Sequence, residues 1–223
     1  LKKNTMWGRG YPRALAVDPN NVNIVYMGLD GDPDGDHQGG GIFKSTDGGA
    51  SWNQMPNQPG SRRMFYGLAV DPTDSKRIFW GACGNGGGVW RTEDGGETWK
   101  NVFAGENFVW NVHVAKDGVI YATGAQLHCS TDHGATWKKL TNFPPHLSTT
   151  GLEVDPTDPK TIWVSNINWG NTAIGGVYKS GDRGATWSNI TTNIPFVKPM
   201  VLRFNPTTRE LWAAGVGLYK TKQ

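Results

Sequence analysis

Charge, cysteine, histidine and long apolar runs are all scarce in this 223-residue sequence. Charged residues make up 18%, with 22 Lys and Arg against 19 Asp and Glu, and the basic residues are scattered rather than clustered. A nucleic-acid partner is therefore not expected, because phosphate recognition needs a basic patch or stripe. No apolar run approaches the roughly 20 residues of a membrane helix, so no membrane partner is expected either. The two cysteines, Cys83 and Cys129, lack metal-ligand spacing, and a bridge between them is permitted but not implied. Of five histidines, His37 and His146 fall in loops, while His113, His128 and His133 fall in expected strands or in a repeated box. Glycine (31) and tryptophan (11) are abundant instead, which suits short strands joined by tight turns. The length fits one domain with an ample core.

Four copies of one pattern organise the chain: STDGGASW at 45–52, TEDGGETW at 92–99, STDHGATW at 130–137 and SGDRGATW at 180–187. Each reads Ser/Thr-x-Asp-x-Gly-x-x-Trp, and successive box aspartates (Asp47, Asp94, Asp132, Asp182) are 47, 38 and 50 residues apart, save that the last box has Gly181 between Ser180 and Asp182 where the others carry Thr or Glu. A second element lies between the boxes: ALAVDPNNVNIVYMG from Ala14, GLAVDPTDSKRIFWG from Gly67 and GLEVDPTDPKTIWVS from Gly151, with weaker copies from Asn111 and Leu202. That makes five units, spanning about 11–57, 63–103, 108–142, 149–193 and 197–223 with 1–10. Within a unit, Leu15–Asp18 stops at Asp-Pro, which initiates a turn and offers no amide to a ladder. Ile24–Met27 and Gly41–Ser45 are the next β-prone runs. In the box the Asp47 carboxylate can accept amides across the turn, Gly48 and Gly49 can take positive φ, and Trp52 is expected to open a fourth strand. Four antiparallel strands per unit predict an all-β, five-bladed β-propeller.

The pattern resembles the Asp-box, or bacterial neuraminidase repeat, of β-propellers in sialidases, xyloglucan-degrading glycoside hydrolases, sortilin-type receptors and a photosystem II assembly factor. The resemblance implies a secreted or extracellular protein, periplasmic localisation included. Regular recurrence assigns the box aspartates and tryptophans to the fold. Because Leu218–Thr221 aligns with Ile42–Ser45, the last blade is expected to take its outer strand from the N-terminus, with Trp7 standing for the missing box Trp, so that no open edge remains. The alternative is five blades cut from a seven-bladed or two-propeller enzyme.

The Asp-Pro turns and boxes occupy one face of such a propeller, and the variable loops the other, where function is sought. The first unit places Asp30, Asp32, Asp34 and Asp36 in alternation beside His37. Oxygen ligands at this spacing suit a hard cation such as Ca²⁺, though no EF-hand is present because Gly41 stands where the closing Glu belongs. A solvated acidic loop and a catalytic loop are the other two readings. Carbohydrate suits an acidic and aromatic rim, since aromatic faces cover sugar C–H surfaces while carboxylates and amides take hydroxyls. Arg63, Tyr66, Trp110, His146, Trp169 and Asn171 are the candidate ligand contacts. A glycoside hydrolase needs two carboxyl groups about 5 to 9.5 Å apart, for which Asp30 or Asp36 with Glu106 are the candidates. In the xyloglucan-degrading hydrolases that the repeat resembles, a catalytic Asp follows the second strand of a blade in a Tyr-Ala-Arg-Thr-Asp-x-Gly-Gly context. Tyr26–Asp30 before Gly40-Gly41 is similar in place, but lacks the Arg-Thr pair and carries an insertion. The expected function is a carbohydrate-recognising propeller, as a binding module or part of a polysaccharide-processing protein with other domains. A hydrolase acting through loop carboxylates and a protein-binding scaffold are the alternatives.

Overall fold

The computed structural model describes residues 12–29, 41–58, 64–84, 87–142, 148–168, 175–191, 199–215 and 217–222, with 64–66 and 222 described in backbone only. They form five antiparallel sheets. Blade 1 is β1 (Pro12–Asp18), β2 (Asn21–Leu29), β3 (Gly41–Ser45) and β4 (Asn53–Gln54). Blade 2 is β5 (Met64–Asp71), β6 (Asp74–Cys83), β7 (Gly88–Thr92) and β8 (Lys100–Phe103). Blade 3 is β9 (Asn111–Val114), β10 (Ile120–Thr123), β11 (Leu127–Ser130) and β12 (Lys138–Lys139). Blade 4 is β13 (Ser148–Val154), β14 (Ile162–Ile167), β15 (Gly175–Ser180) and β16 (Ser188–Asn189). Blade 5 has three described strands, β17 (Val201–Asn205), β18 (Glu210–Ala214) and β19 (Leu218–Lys222). The all-β, five-bladed propeller expected from the repeat is therefore what the chain builds. The strand expected to close it, around Met6 and Trp7, lies outside the described residues.

In four of the five blades the turn after the inner strand is fixed by an Asp or Asn at the strand's end. Asp18 Oδ1 accepts the amide of Asn20 at 2.9 Å, and Asp71 and Asp155 accept those of Thr73 and Thr157 at 2.8 Å. Asn205 does the same for Thr207 in blade 5. These are turns that the short Asx side chain makes with its own backbone. Blade 3 has Ala115 at this place and turns through Gly118 at φ 83° instead. The buried aspartates also tie blades together: Ser75 Oγ donates to Asp18 at 2.9 Å, and Arg209 of blade 5 pairs with Asp155 of blade 4.

Each box is a closed local network. Ser45 Oγ donates to Asp47 Oδ1 at 2.7 Å and accepts the Gly49 amide at 2.8 Å. The Asp47 carboxylate then accepts both the amide and the hydroxyl of Ser51, at 2.8 and 2.6 Å. Trp52 Nε1 donates to Gly49 O at 3.0 Å, and the same bonds recur around Asp94, Asp132 and Asp182. So many donors hold Asp47, Asp132 and Asp182 down to about 2, the Ser51 hydroxyl and its counterparts being the largest cause. The indole bond keeps Trp52 in the turn, so β4 starts one residue later than expected, at Asn53.

Alternation along the middle strands sends neighbouring side chains to opposite blades. Ile78, Trp80 and Ala82 of β6 join Tyr26, Ile42 and Met55 of blade 1, whereas Phe79 joins Val112, Val114 and Ile120 of blade 3. Trp80 is fully buried, stacked on Trp90 at 6.0 Å and met edge-on by the box residue Trp99 at 6.4 Å. Equivalent cores join blades 3 to 4 and 4 to 5. Inner strands crowd together near the axis, and a Cβ on Gly67 of β5 would lie 2.6 Å from the Val112 amide nitrogen of β9. That close approach explains the glycine at the head of this repeated element.

Candidate ligand site

Antiparallel order puts the β2–β3, β6–β7, β10–β11 and β14–β15 turns at one end of the blades, with the links that enter each inner strand. The Asx turns and boxes lie at the other end. Of the residues expected to act on the loop face, Asp30, Asp32, Asp34, Asp36, Arg63, His146, Trp169 and Asn171 lie outside the described residues. Tyr66 is described in backbone only, within β5. Glu106 and Trp110 are described in full, and both belong to the link from blade 2 to blade 3.

That link is pinned from both sides. Asn107 O accepts the Gly84 amide at 2.8 Å, the Val109 amide donates to Ala82 O at 3.2 Å, and the Trp110 amide donates to Thr123 O at 2.8 Å. In an extended segment alternate side chains share a side. Val109 accordingly points into the core, fully buried, while Phe108 and Trp110 stand together on the surface. Their rings are 6.0 Å apart and inclined by only 22°, and Phe108 is 47% exposed. The result is a two-ring platform on rigid backbone.

Glu106 lies two residues before Phe108 in the same link. Burial pushes its carboxyl up, while the amides of Ala125 and Gln126 and the charge of Lys139 pull the other way. Oε1 lies 3.8 Å from His128 Nδ1. The His128 imidazole, buried against Phe103 at 4.7 Å, is pushed down to about 4 by burial and by Lys139, so it is neutral near pH 7. Glu106 therefore binds the β10–β11 turn to the link; His128 beside it was read from the sequence only as a strand residue.

A second group of polar side chains lines the central channel. The residue that follows Leu15, Leu68, Val112, Leu152 and Leu202 in the inner strands is Ala16, Ala69, His113, Glu153 and Arg203 in blades 1 to 5. The channel contains two adjoining chambers of about 570 and 780 Å³, and Leu15, Leu68, Asn111 and Arg203 line both. The smaller is open at the loop face, with Arg13, Trp110 and Met200 in its wall. In the larger, Arg203 Nη1 approaches Glu153 Oε2 at 3.4 Å. Burial raises Glu153 to about 7 despite Arg203 and the Phe204 amide, and burial with the Arg203 charge lowers His113 to about 4. None of Asn111, His113, Glu153 or Arg203 was expected from the sequence. The one signal that finds the last three is the shared register position next to Leu, Val or Phe in the inner strands, where blades 1 and 2 keep alanine. Among the described residues no cluster of three or more His, Cys, Asp or Glu forms a metal site. Cys83 and Cys129 are both free thiols.

Comparison with known proteins agrees with this architecture. The BNR/Asp-box repeat matches residues 128–139, the third box with its flanking strands. A xyloglucanase of Paenibacillus sp. is 29% identical over 147 residues, which are 62% of this chain and 10% of that protein. Among solved structures, the GH74 xyloglucanase from Xanthomonas campestris superposes with a TM-score of 0.74 at 18% identity, covering 93% of this chain and 36% of that one. The Niastella koreensis GH74 enzyme gives 0.73 at 21% identity, over 92% of this chain and 35% of its own. The chain thus spans a small part of the curated relative and about a third of these solved structures.

Proposed function

We propose that this Asp-box β-propeller recognises carbohydrate on its loop face, as a binding module or as one part of a larger, secreted polysaccharide-processing protein. The observation that carries the reading is the Phe108–Trp110 pair, two nearly parallel rings held by backbone bonds to both flanking blades. Flat apolar rings at a fixed spacing match successive sugar C–H faces, and preorganised backbone lowers the ordering cost of binding. Similarity to xyloglucanases makes a β-glucan backbone with xylosyl branches the first ligand to try. On this reading the expected contacts Arg63, Tyr66, His146, Trp169 and Asn171 would share that face. Calcium held by Asp30, Asp32, Asp34 and Asp36 would order its acidic edge.

Titration calorimetry with xyloglucan oligosaccharides tests this. Binding by the wild-type chain should weaken about tenfold in Trp110→Ala or Phe108→Ala, equivalent to ~1.4 kcal/mol each. Absence of binding to xyloglucan and to other glycans on an array would overturn the proposal. A hydrolase using Glu106 with Asp30 or Asp36 is the second reading, favoured by the raised, half-buried Glu106 carboxyl. Release of reducing ends by the wild type, lost in Glu106→Gln with binding retained, would select it over a binding module.

A further inference from the structure

Among the described residues, two polar side chains facing the channel make no side-chain hydrogen bond and a third keeps one edge open. The Asn111 amide and His113 imidazole have no side-chain partner, and both bonds of Arg203 leave from Nη1, to Glu153 and to Leu202 O. The Nε–Nη2 edge of that guanidinium is therefore open, and the residue is 66% exposed. A planar pair of N–H donors fits the two oxygens of a carboxylate. Asn111 and His113, on β9 two blades away around the channel, offer an amide and a neutral imidazole, groups that take hydroxyls by donating or accepting. Leu15 and Leu68 supply apolar surface at the same level. The larger chamber, about 780 Å³, lies in the range of small-molecule sites.

We infer that the channel binds a single acidic sugar residue, its carboxylate on the open edge of Arg203 and its hydroxyls on Asn111 and His113. The site goes beyond the loop-face reading and does not rest on it. A phosphate dianion fits less well, because Glu153 stands 3.4 Å from the same guanidinium. The charged and titratable groups that share the chamber with that carboxyl are Arg203 on β17, His113 on β9 and Lys116, with Arg13 in the wall of the adjoining chamber. An anion on Arg203 offsets the charge that favours ionised Glu153, so binding takes up a proton there. With Glu153 titrating at about 7, affinity should fall about tenfold between pH 6 and pH 8 as the competent, protonated fraction shrinks.

Calorimetry with D-glucuronate, D-glucose and D-glucose 6-phosphate at pH 6 and pH 8 tests the site. D-Glucuronate should bind at pH 6 and D-glucose should not. Arg203→Gln should weaken binding at least tenfold. Glu153→Gln should bind with no dependence on pH. No binding of D-glucuronate to the wild type at pH 6, undiminished binding by a folded Arg203→Gln, or tighter binding of the sugar phosphate would overturn the assignment. Loop-face binding is read separately with xyloglucan oligosaccharides, so failure of either site is distinguishable from failure of the other.

Discussion

Replacing Glu153 by Gln should make the protein more stable at alkaline pH and leave it unchanged near pH 4.5. The side chain is 15% exposed, and burial lifts its carboxyl from the ordinary 4.5 to about 7 even with Arg203 beside it. The folded chain thus holds this proton more tightly than the unfolded chain, so stability falls as pH rises from about 4.5 to about 7. Above pH 7 the whole penalty is present, and below 4.5 it is absent. A shift of this size corresponds to about 3 kcal/mol at 1.36 kcal/mol per unit. The favourable pull of Arg203 is already contained in that net figure, and Arg203 is exposed enough to be solvated without its partner. Gln keeps the shape and removes the buried charge. Urea unfolding followed by tryptophan fluorescence at pH 4.5, 6 and 8 should show the variant gaining progressively, with a melting temperature at pH 8 raised by roughly 5–10 °C. A variant equal to or weaker than wild type at pH 8, or one offset equally at all three pH values, would refute the reasoning.

Four further outcomes are expected. Ser130→Ala leaves the buried Gly134 amide without its acceptor and should cost ~1–3 kcal/mol in urea unfolding. Because Asp47, Asp132 and Asp182 sit at about 2 when folded, below the ordinary 3.8, their contribution is complete above pH 4 and is lost as pH falls toward 2; circular dichroism should show acid unfolding in that window, shallower in Asp132→Asn. Trp80→Ala empties the core between blades 1 and 2 and should cost ~3–5 kcal/mol, read as a lower urea midpoint. If the alternating aspartates hold calcium, saturation at a hundredfold over Kd should add about 2.7 kcal/mol, reversed by EDTA and absent in Asp30→Asn with Asp36→Asn.

The parts of this molecule that were legible in the sequence are those whose bonds close within a few residues. The Asp132 carboxylate meets Ser130 two residues before it and Thr136 four after it, so the box spells out its own geometry. Asp155 and Thr157 do the same for the turn after β13. Glu106 was visible as an acid in a loop, but its tether was not, because the amides of Ala125 and Gln126 carry no side-chain signature and lie about twenty residues away. The channel was least legible. His113, Glu153 and Arg203 are separated by 40 and 50 positions, and each taken alone reads as an ordinary polar residue on the outward side of an inner strand.

What joins those three is the repeat itself. Five copies of an inner strand project five side chains at one register position, and a strict repeat would give the channel wall one chemistry throughout. Here the position is alanine in blades 1 and 2, where Ala16 and Ala69 pack against the interblade cores. It is histidine, glutamate and arginine in blades 3 to 5, where the same position supplies no core. Packing constrains the neighbouring positions, Leu152 and Val154 or Leu202 and Phe204, and leaves this one free to differ. A wall apolar on one side and charged on the other would hold a small polar ligand in one orientation. The fold's demand for sameness ends at the residues that face the axis, and those residues are where this chain departs from its own repeat.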